Sequence, residues 1–325
     1  MANYLVTGSA GFIASRVISM LLENGDSVVG VDNMNDAYDV RMKQYRLAKL
    51  LGQPGFTYYQ ADISERRFLE LPALHNANFS GVINLAARAG VRQSLEDPWV
   101  YVDTNITGTL NLLELCHREG IAKFVLASTS SLYGDDAPLP TPEDAESDHP
   151  LQVYAASKKG AEALCHAYHH LYGIDVTVFR YFTVYGPAPR PDMVMFRFTQ
   201  WISEGRPVLL NGDGEQSRGF TYVDDIARGT ILGLKPLGYE LINLGGHQVI
   251  KINDLIRKLE ALTGKTADVH QLPRHMADMF ANWADVEKAG RLLGWEPQVT
   301  LEQGIRNLVD WYQAERSWAS QIVTD

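Results

Sequence analysis

Cysteine is scarce in this chain: Cys116 and Cys165 are the only two among 325 residues. Two thiols cannot build a disulfide framework, and they read as buried thiols in a reducing cytoplasm. Basic residues are also in deficit. Lys and Arg number 29 against 39 Asp and Glu, a formal net charge of −10. That balance disfavours nucleic acid or an anionic membrane surface as a partner, although a few arginines could still gather around one small anion. No apolar run approaches the roughly 18 residues needed to cross a bilayer. The start, Met1-Ala2-Asn3-Tyr4-Leu5-Val6, runs straight into a strand-like segment with no basic leader before it. The expectation is a cytoplasmic protein with no membrane partner.

What is present is ordinary globular composition, 46% hydrophobic and 21% charged, at a length of about two domains. The first two thirds alternate short apolar, β-branched runs (4–7, 27–31, 56–60, 81–85, 122–127, 175–180) with amphipathic helical patterns. One helical stripe carries Val102, Ile106, Leu110, Leu113 and Cys116; another carries Ala161, Leu164, Cys165, Tyr168 and Leu171. Alternation of this kind builds βαβ units, and it predicts an α/β fold with a doubly wound parallel sheet buried on both faces. After Arg180 the rhythm loosens. Pro187-Ala188-Pro189-Arg190-Pro191 is a rigid loop. Short strands at 208–210, 240–243 and 268–271 mix with helices, the last striped by Leu301, Ile305, Leu308, Val309 and Tyr312. The expected division is a nucleotide domain over 1–180 and a smaller α+β substrate domain over 181–325, with some segments of the latter returning to the first. The chain after Trp318 is expected to fray.

The first strand ends in Gly8-Ser9-Ala10-Gly11-Phe12-Ile13-Ala14. Gly8 permits the turn, Gly11 lets backbone approach a pyrophosphate, and Ala14 lets helix pack on strand, with the anion at the helix N-terminus. Asp32 closes the second strand 24 positions after Gly8, where a carboxylate accepts hydrogen bonds from an adenosine ribose and repels a 2′-phosphate. The cofactor is therefore expected to be NAD rather than NADP. Asp62 and Ile63 follow the third strand, placed to touch adenine, although Asp62 could equally be a cap. Leu85, Ala86, Ala87 and Arg88 follow the fourth and would line the pyrophosphate and nicotinamide ribose.

Tyr154 and Lys158 stand four residues apart on one helical face. A phenol titrates near pH 10 in water. A neighbouring ammonium and a positive nicotinamide ring are expected to pull that value toward neutrality and make Tyr154 a general base. The hydroxyl cluster Ser128-Thr129-Ser130-Ser131 follows the fifth strand, at the carboxyl edge where such sheets bind ligands, and it could bond a reacting alcohol or carbonyl.

Taken together, these motifs resemble the extended short-chain dehydrogenase/reductase family of NAD-dependent nucleotide-sugar epimerases and dehydratases, over nearly the whole chain. Arg180-Tyr181-Phe182-Thr183-Val184-Tyr185-Gly186-Pro187, Arg218-Gly219-Phe220-Thr221-Tyr222-Val223-Asp224-Asp225 and Ala284-Asp285-Val286-Glu287-Lys288-Ala289 extend the likeness. Within it, Arg88-Ala89-Gly90-Val91-Arg92-Gln93-Ser94, Phe182-Thr183-Val184-Tyr185-Gly186-Pro187 and Arg190-Pro191-Asp192-Met193 are most similar to UDP-glucuronate 4-epimerases. The resemblance implies a Rossmann sheet, NAD as cofactor and a UDP-sugar as substrate. It implies Thr129, Tyr154 and Lys158 as the catalytic group. It implies Phe12, Ile13, Asn33, Asn105 and Tyr181 beside the glycines, Asp32, Asp62, Ile63 and the 85–87 run as cofactor contacts. For the substrate it implies Arg88, Val91, Arg92, Ser128, Thr129, Ser130, Thr183, Arg190, Arg218 and Arg274. The expected activity is C4 epimerisation of a UDP-hexuronate, UDP-glucuronate to UDP-galacturonate. The alternatives are a 4-epimerase of a neutral UDP-hexose and a non-catalytic NAD-binding sensor.

A uronate adds a hazard, because its 4-keto form is a β-keto acid that readily loses carbon dioxide. Arg190 is the residue expected to hold the carboxylate, with Thr183 and Ser130 as hydroxyl donors. Ser130 and Ser131 also stand where dehydratases and decarboxylases of this family carry an acid. Arg218 and Arg274 are the candidates for the nucleotide phosphates. Departures from the family pattern are Ala14 for a glycine, Ala37 within an aromatic run, Gly219 where Asp is common, and Met276-Ala277-Asp278 for Pro-Gly-Asp. His166, His169 and His170 share one helix without an evident third metal ligand, so no metal is expected. The helical stretches 101–117 and 154–171 resemble those of a four-helix dimer interface, implying a homodimer, unless they are buried within one subunit.

Overall fold

The computed structural model describes residues 1–273 and 280–324. Its main sheet holds β1 (Asn3–Thr7), β2 (Ser27–Asp32), β3 (Phe56–Gln60), β4 (Gly81–Asn84), β5 (Lys123–Thr129) and β6 (Asp175–Tyr181). A seventh strand, Tyr239–Leu244, completes it. The spatial order is β3-β2-β1-β4-β5-β6 and then Tyr239–Leu244, every pair parallel. The chain thus winds outward in both directions from β1 and β4, which is the Rossmann arrangement, and a crevice opens where the winding reverses.

Successive side chains of a strand point to opposite faces, and the core divides accordingly. Val6, Ile83, Val125 and Phe179 join one apolar cluster; Leu5, Val82, Phe124, Leu126 and Val178 join the other. Both faces are buried, which is why these strands read as unbroken apolar runs. The strand expected at 240–243 extends this sheet instead of standing in a separate one, and helix Val223–Leu232 before it packs on helix Phe12–Glu23. The other late strands form two small sheets. Ser217–Tyr222 lies between Gln248–Lys251 and Ala281–Asn282 and also pairs with Thr183–Tyr185; Val208–Asn211 pairs with Val269–Leu272.

Two expectations need correction. The stripe read as one helix over 102–116 is broken: a π-helical segment, Val102–Thr107, precedes the α-helix Gly108–Glu119. The chain after Trp318 is docked rather than frayed. Gln200 donates to the carbonyls of Ala319 and Ile322 at 3.0 and 2.8 Å, and the Trp201 indole donates to Thr324 at 2.9 Å. Cys116 and Cys165 are both buried. Among the described residues no helix is long and apolar enough to cross a membrane, and no three His, Cys, Asp or Glu side chains are grouped to hold a metal.

Candidate active site

One cleft of about 670 Å³ runs along the carboxyl edge of the main sheet, from Asp62 and Ile63 past β1 and β5 to Arg218 and Asn282. Gly8 sits at its centre with φ +68°, and a Cβ there would come within 2.8 Å of the Ala86 backbone. Only glycine brings the two strand ends so close. Thr7 and Asn84 join them beneath, hydroxyl to side-chain oxygen at 2.8 Å. Asp32 accepts from the Ala10 and Met34 amides at 3.1 and 2.8 Å, and Lys43 stands 3.6 Å away. Asp62 accepts from Ser64 and from Asn33 and lines the cleft as well, so its turn-capping and ligand-facing placements coexist.

The cleft brings together Gly8, Gly11, Phe12, Ile13, Asp32, Asn33, Asp62, Ile63, Leu85, Ala86 and Ala87 at its first half. Thr129, Tyr154, Lys158 and Tyr181 line the middle, and Arg88, Val91, Arg92, Ser128, Ser130, Thr183, Arg190 and Arg218 the rest. Asn105 stands behind this lining. It is 1% exposed and does not line the cleft. Its side chain binds Arg88 N and O at 2.9 and 3.0 Å and Ser157 Oγ at 2.8 Å. The π-helical widening turns it toward the 86–92 loop, which it shapes from behind. Arg274 and residues 276–278 lie outside the described residues.

In the middle of the cleft, helix Val153–Tyr172 presents Tyr154 and Lys158 one turn apart. The Tyr101 ring meets the Tyr154 ring edge to face at 6.2 Å, while its hydroxyl holds Gly90 O at 2.9 Å. Thr129 ends β5 and accepts from the Ser131 amide at 3.1 Å. Burial raises the Tyr154 pKa, and a hydrogen bond with Thr129 and the Arg190 cation each lower it. For the protein alone, desolvation of the phenolate outweighs both. Lys158 is 2% exposed. Burial lowers its pKa to about 8, against the carboxylate of Glu162, which raises it. Glu162 is held by Arg180 at 2.8 Å and by the Ser128 hydroxyl at 2.5 Å, so a buried ion pair underlies the ammonium.

Arg190 and Asp192 form a side-on pair, Nε at 3.1 Å and Nη2 at 2.5 Å, and Nη1 is not used by Asp192. Arg218 donates to the Ser217 and Phe280 carbonyls. Several cleft residues were not singled out from sequence. Tyr38, Lys43, Arg197, Gln216 and Asn282 all line it, and Asn282 reaches Ser130 Oγ at 3.2 Å. Of these, Lys43 had a usable signal, lying shortly after Asp32. Tyr38 lies on the same segment, closer still to Asp32, while Arg197, Gln216 and Asn282 come from distant parts of the chain. The histidines do not converge: His166 packs edge-on against Tyr239 and His169 bonds Ile174 O.

The donor set suits a dinucleotide. A glycine turn lies against Ala86, a carboxylate ends β2, and the buried Lys158 ammonium makes no hydrogen bond among the described residues while lining the cleft. A buried cation without such a bond needs a partner, and ribose hydroxyls are of the right kind. Fold and cleft together define an α/β protein that binds a dinucleotide across the switch point of its sheet. A family model described as the NAD dependent epimerase/dehydratase family matches residues 4–245. The chain is 57% identical over 312 residues to a UDP-glucuronate 4-epimerase of Thermodesulfobacterium geofontis, covering 96% of each. It resembles the crystal structure of UDP-glucuronic acid 4-epimerase from Bacillus cereus in complex with UDP-glucuronic acid and NAD. The TM-score there is 0.89 at 36% identity, over 96% of this chain and 99% of that one. A UDP-glucose 4-epimerase from Thermotoga maritima with UDP-glucose gives 0.88 at 33%, over 97% and 99%. The chain belongs to the NAD-dependent epimerase/dehydratase family, and NAD is its cofactor.

Proposed function

We propose that this chain is an isomerase that inverts C4 of UDP-glucuronate to give UDP-galacturonate. The observation that carries the reading is Arg190, a guanidinium in the cleft near enough to Tyr154 to act on its ionisation, in a chain 57% identical to a UDP-glucuronate 4-epimerase. Asp32, Gly8, Gly11 and Lys158 would hold NAD. When bound, that cofactor supplies a reversible hydride acceptor beside C4.

The chain's own groups then divide the work. Thr129 and Tyr154 together receive the sugar 4-hydroxyl, and Tyr154 takes its proton and later returns it. Lys158 stabilises the phenolate through its charge. Arg190, with Thr183 and Ser130, holds the uronate carboxylate near the plane of the C4 carbonyl, where the bond to carbon dioxide cannot align with the carbonyl π system. Ser130 and Ser131 follow Thr129 with hydroxyls instead of a carboxylate, so no side chain there supplies the acid that elimination of water needs. Arg218 and the small-sheet strands retain the nucleotide while the flat 4-keto sugar turns over, and that remote grip supplies binding energy away from the reacting carbon.

The division of labour assigns NAD to residues 1–180 with the strand Tyr239–Leu244, and the nucleotide sugar to the remainder of 181–325. We assign the protein to the cytoplasm, on its two buried thiols, and to a homodimer. The support for a dimer is the exposed apolar side chains on the two helical stretches 101–117 and 154–171, where Val102 is 38% and Leu171 65% exposed. Light scattering on the purified protein tests it, and a monomer mass overturns it.

The activity is tested by incubating purified protein with UDP-glucuronate and resolving the products by chromatography. UDP-galacturonate is expected. UDP-pentose as the main product would make the protein a decarboxylase. Conversion of UDP-glucose alone would make it a neutral-sugar epimerase, and no conversion of either would leave an NAD-binding sensor.

A further inference from the structure

Arg46 is a buried cation with no carboxylate in hydrogen-bond contact among the described residues, 4% exposed on helix Val40–Ala48. Its guanidinium instead gathers neutral oxygens from three places. Nε donates to Ala10 O at 2.9 Å, inside the glycine turn. Nη1 donates to Ala188 O at 2.8 Å and Pro189 O at 3.4 Å. Nη2 donates to the Tyr38 hydroxyl at 2.5 Å. Burying a charge costs stability unless every donor is used well, so the arrangement calls for a return beyond packing.

The return lies in what the fork connects. Ala10 belongs to the cofactor turn, and Ala188 and Pro189 immediately precede Arg190. Ala188 has φ +51°, a left-handed conformation that residues with a Cβ avoid. A loop of that shape needs an outside hold, and a planar guanidinium fixes two carbonyls at a set spacing from the glycine turn. The Tyr38 hydroxyl that Arg46 holds also feels the charge of Arg190.

We propose that Arg46 is a positioning residue for the uronate carboxylate: it braces the 186–190 loop against the glycine turn and so fixes where Arg190 stands relative to Tyr154 and the cofactor. The inference rests on the reading of Arg190 as the carboxylate's partner. Arg46 itself touches neither substrate nor reacting atoms. Its effect on substrate binding passes through Arg190 and is specific to the charged sugar.

The experiment is a double-mutant cycle on the NAD-loaded enzyme with Arg46→Lys and Arg190→Ala. Lysine keeps the charge but offers one point of contact in place of a fork. Arg46→Lys should raise KM for UDP-glucuronate about tenfold, the worth of one charged hydrogen bond, while kcat moves less than about threefold. Inhibition by UDP-glucose, which lacks the carboxylate, should be unchanged, as should bound NAD, and some UDP-pentose should appear. In the Arg190→Ala background, Arg46→Lys should add nothing to the uronate KM. An unchanged KM in Arg46→Lys overturns the proposal. So does a parallel loss of UDP-glucose inhibition, and so do two substitutions whose effects multiply. If Arg190→Ala alone leaves the uronate KM untouched, the reading of Arg190 fails first, and the proposal falls with it. Should Arg46→Lys not fold, Tyr38→Phe keeps the core's shape and removes one anchor of the fork. It should raise the uronate KM two- to threefold, roughly one neutral hydrogen bond, without altering UDP-glucose inhibition, and no change overturns the proposal.

Discussion

Arg190 and Tyr154 are coupled through charge: burial raises the phenol's pKa, the Thr129 hydrogen bond lowers it, and the Arg190 cation lowers it further. One guanidinium thereby faces two tasks, holding a carboxylate and easing ionisation of the base. Removing it in Arg190→Ala takes away a lowering influence, so the Tyr154 pKa rises. The limb of the pH–kcat profile that needs the phenolate should then move to higher pH. With UDP-glucuronate, kcat/KM should fall by one to two orders of magnitude, roughly the loss of a bidentate charged contact. Carbon dioxide release should become measurable beside epimerisation. A pH profile that stays in place would show that the two groups do not communicate during turnover.

Tyr154→Phe removes the only atom assigned to move the 4-hydroxyl proton and keeps the ring that Tyr101 packs against. Turnover should drop by roughly 10²–10⁴, the usual share of a positioned acid–base group. Retained NAD, read from the absorbance of the purified protein, and KM should change little. Wild-type turnover would take Tyr154 out of its role.

The sheet and most of the cleft were legible for one physical reason. Parallel strands buried on both faces must be apolar throughout, and each is followed by a turn that faces the ligand edge, so Gly8, Asp32, Asp62, Ala86 and Thr129 are found by counting from strand ends. What escaped depends on contacts between distant parts of the chain. Nothing near Arg46 in sequence indicates that it meets Ala188, 142 residues on. Asn105 lies in a stretch that reads as regular helix, and only the π-helical widening shows that it faces Arg88. The docking of the last residues is hidden likewise, because it rests on Gln200, a polar residue in an apolar helix. Spacing places an ammonium near Tyr154 but does not reveal the burial that raises the phenol's pKa.

Gly219, a departure from the family's usual Asp, is explained by close packing. A Cβ on it would lie 1.9 Å from Gly246 O and 2.8 Å from the Trp283 Cβ. The strand would have to move away from its neighbours, taking Arg218 and Asn282 with it. Gly219→Ala should cost about 3 kcal/mol, the upper end of what overpacking a closed site usually costs. The loss is measured by urea unfolding. Among molecules that remain folded, UDP-sugar binding should weaken while NAD is retained. An unaltered unfolding midpoint would mean that the strands part without strain.

Lys158 sets function against stability. Burial lowers its pKa from 10.5 to about 8, with Glu162 acting in the opposite sense. Between these two values the unfolded chain holds a proton that the folded chain has released, so the stability of wild type contributed by this group rises with pH across that window. Below pH 8 the full cost of the buried ammonium is present. Lys158→Met removes that cost. Measured by urea unfolding on NAD-free protein, the variant should be more stable than wild type near pH 7 by on the order of 2–3 kcal/mol. The gap should narrow as pH rises toward 10.5, where both states of the wild type become neutral at this position. Turnover should be lost at every pH, since methionine can neither stabilise a phenolate nor bond a ribose. A gap of the same size at pH 7 and above pH 10 would assign the gain to packing instead of to the buried charge.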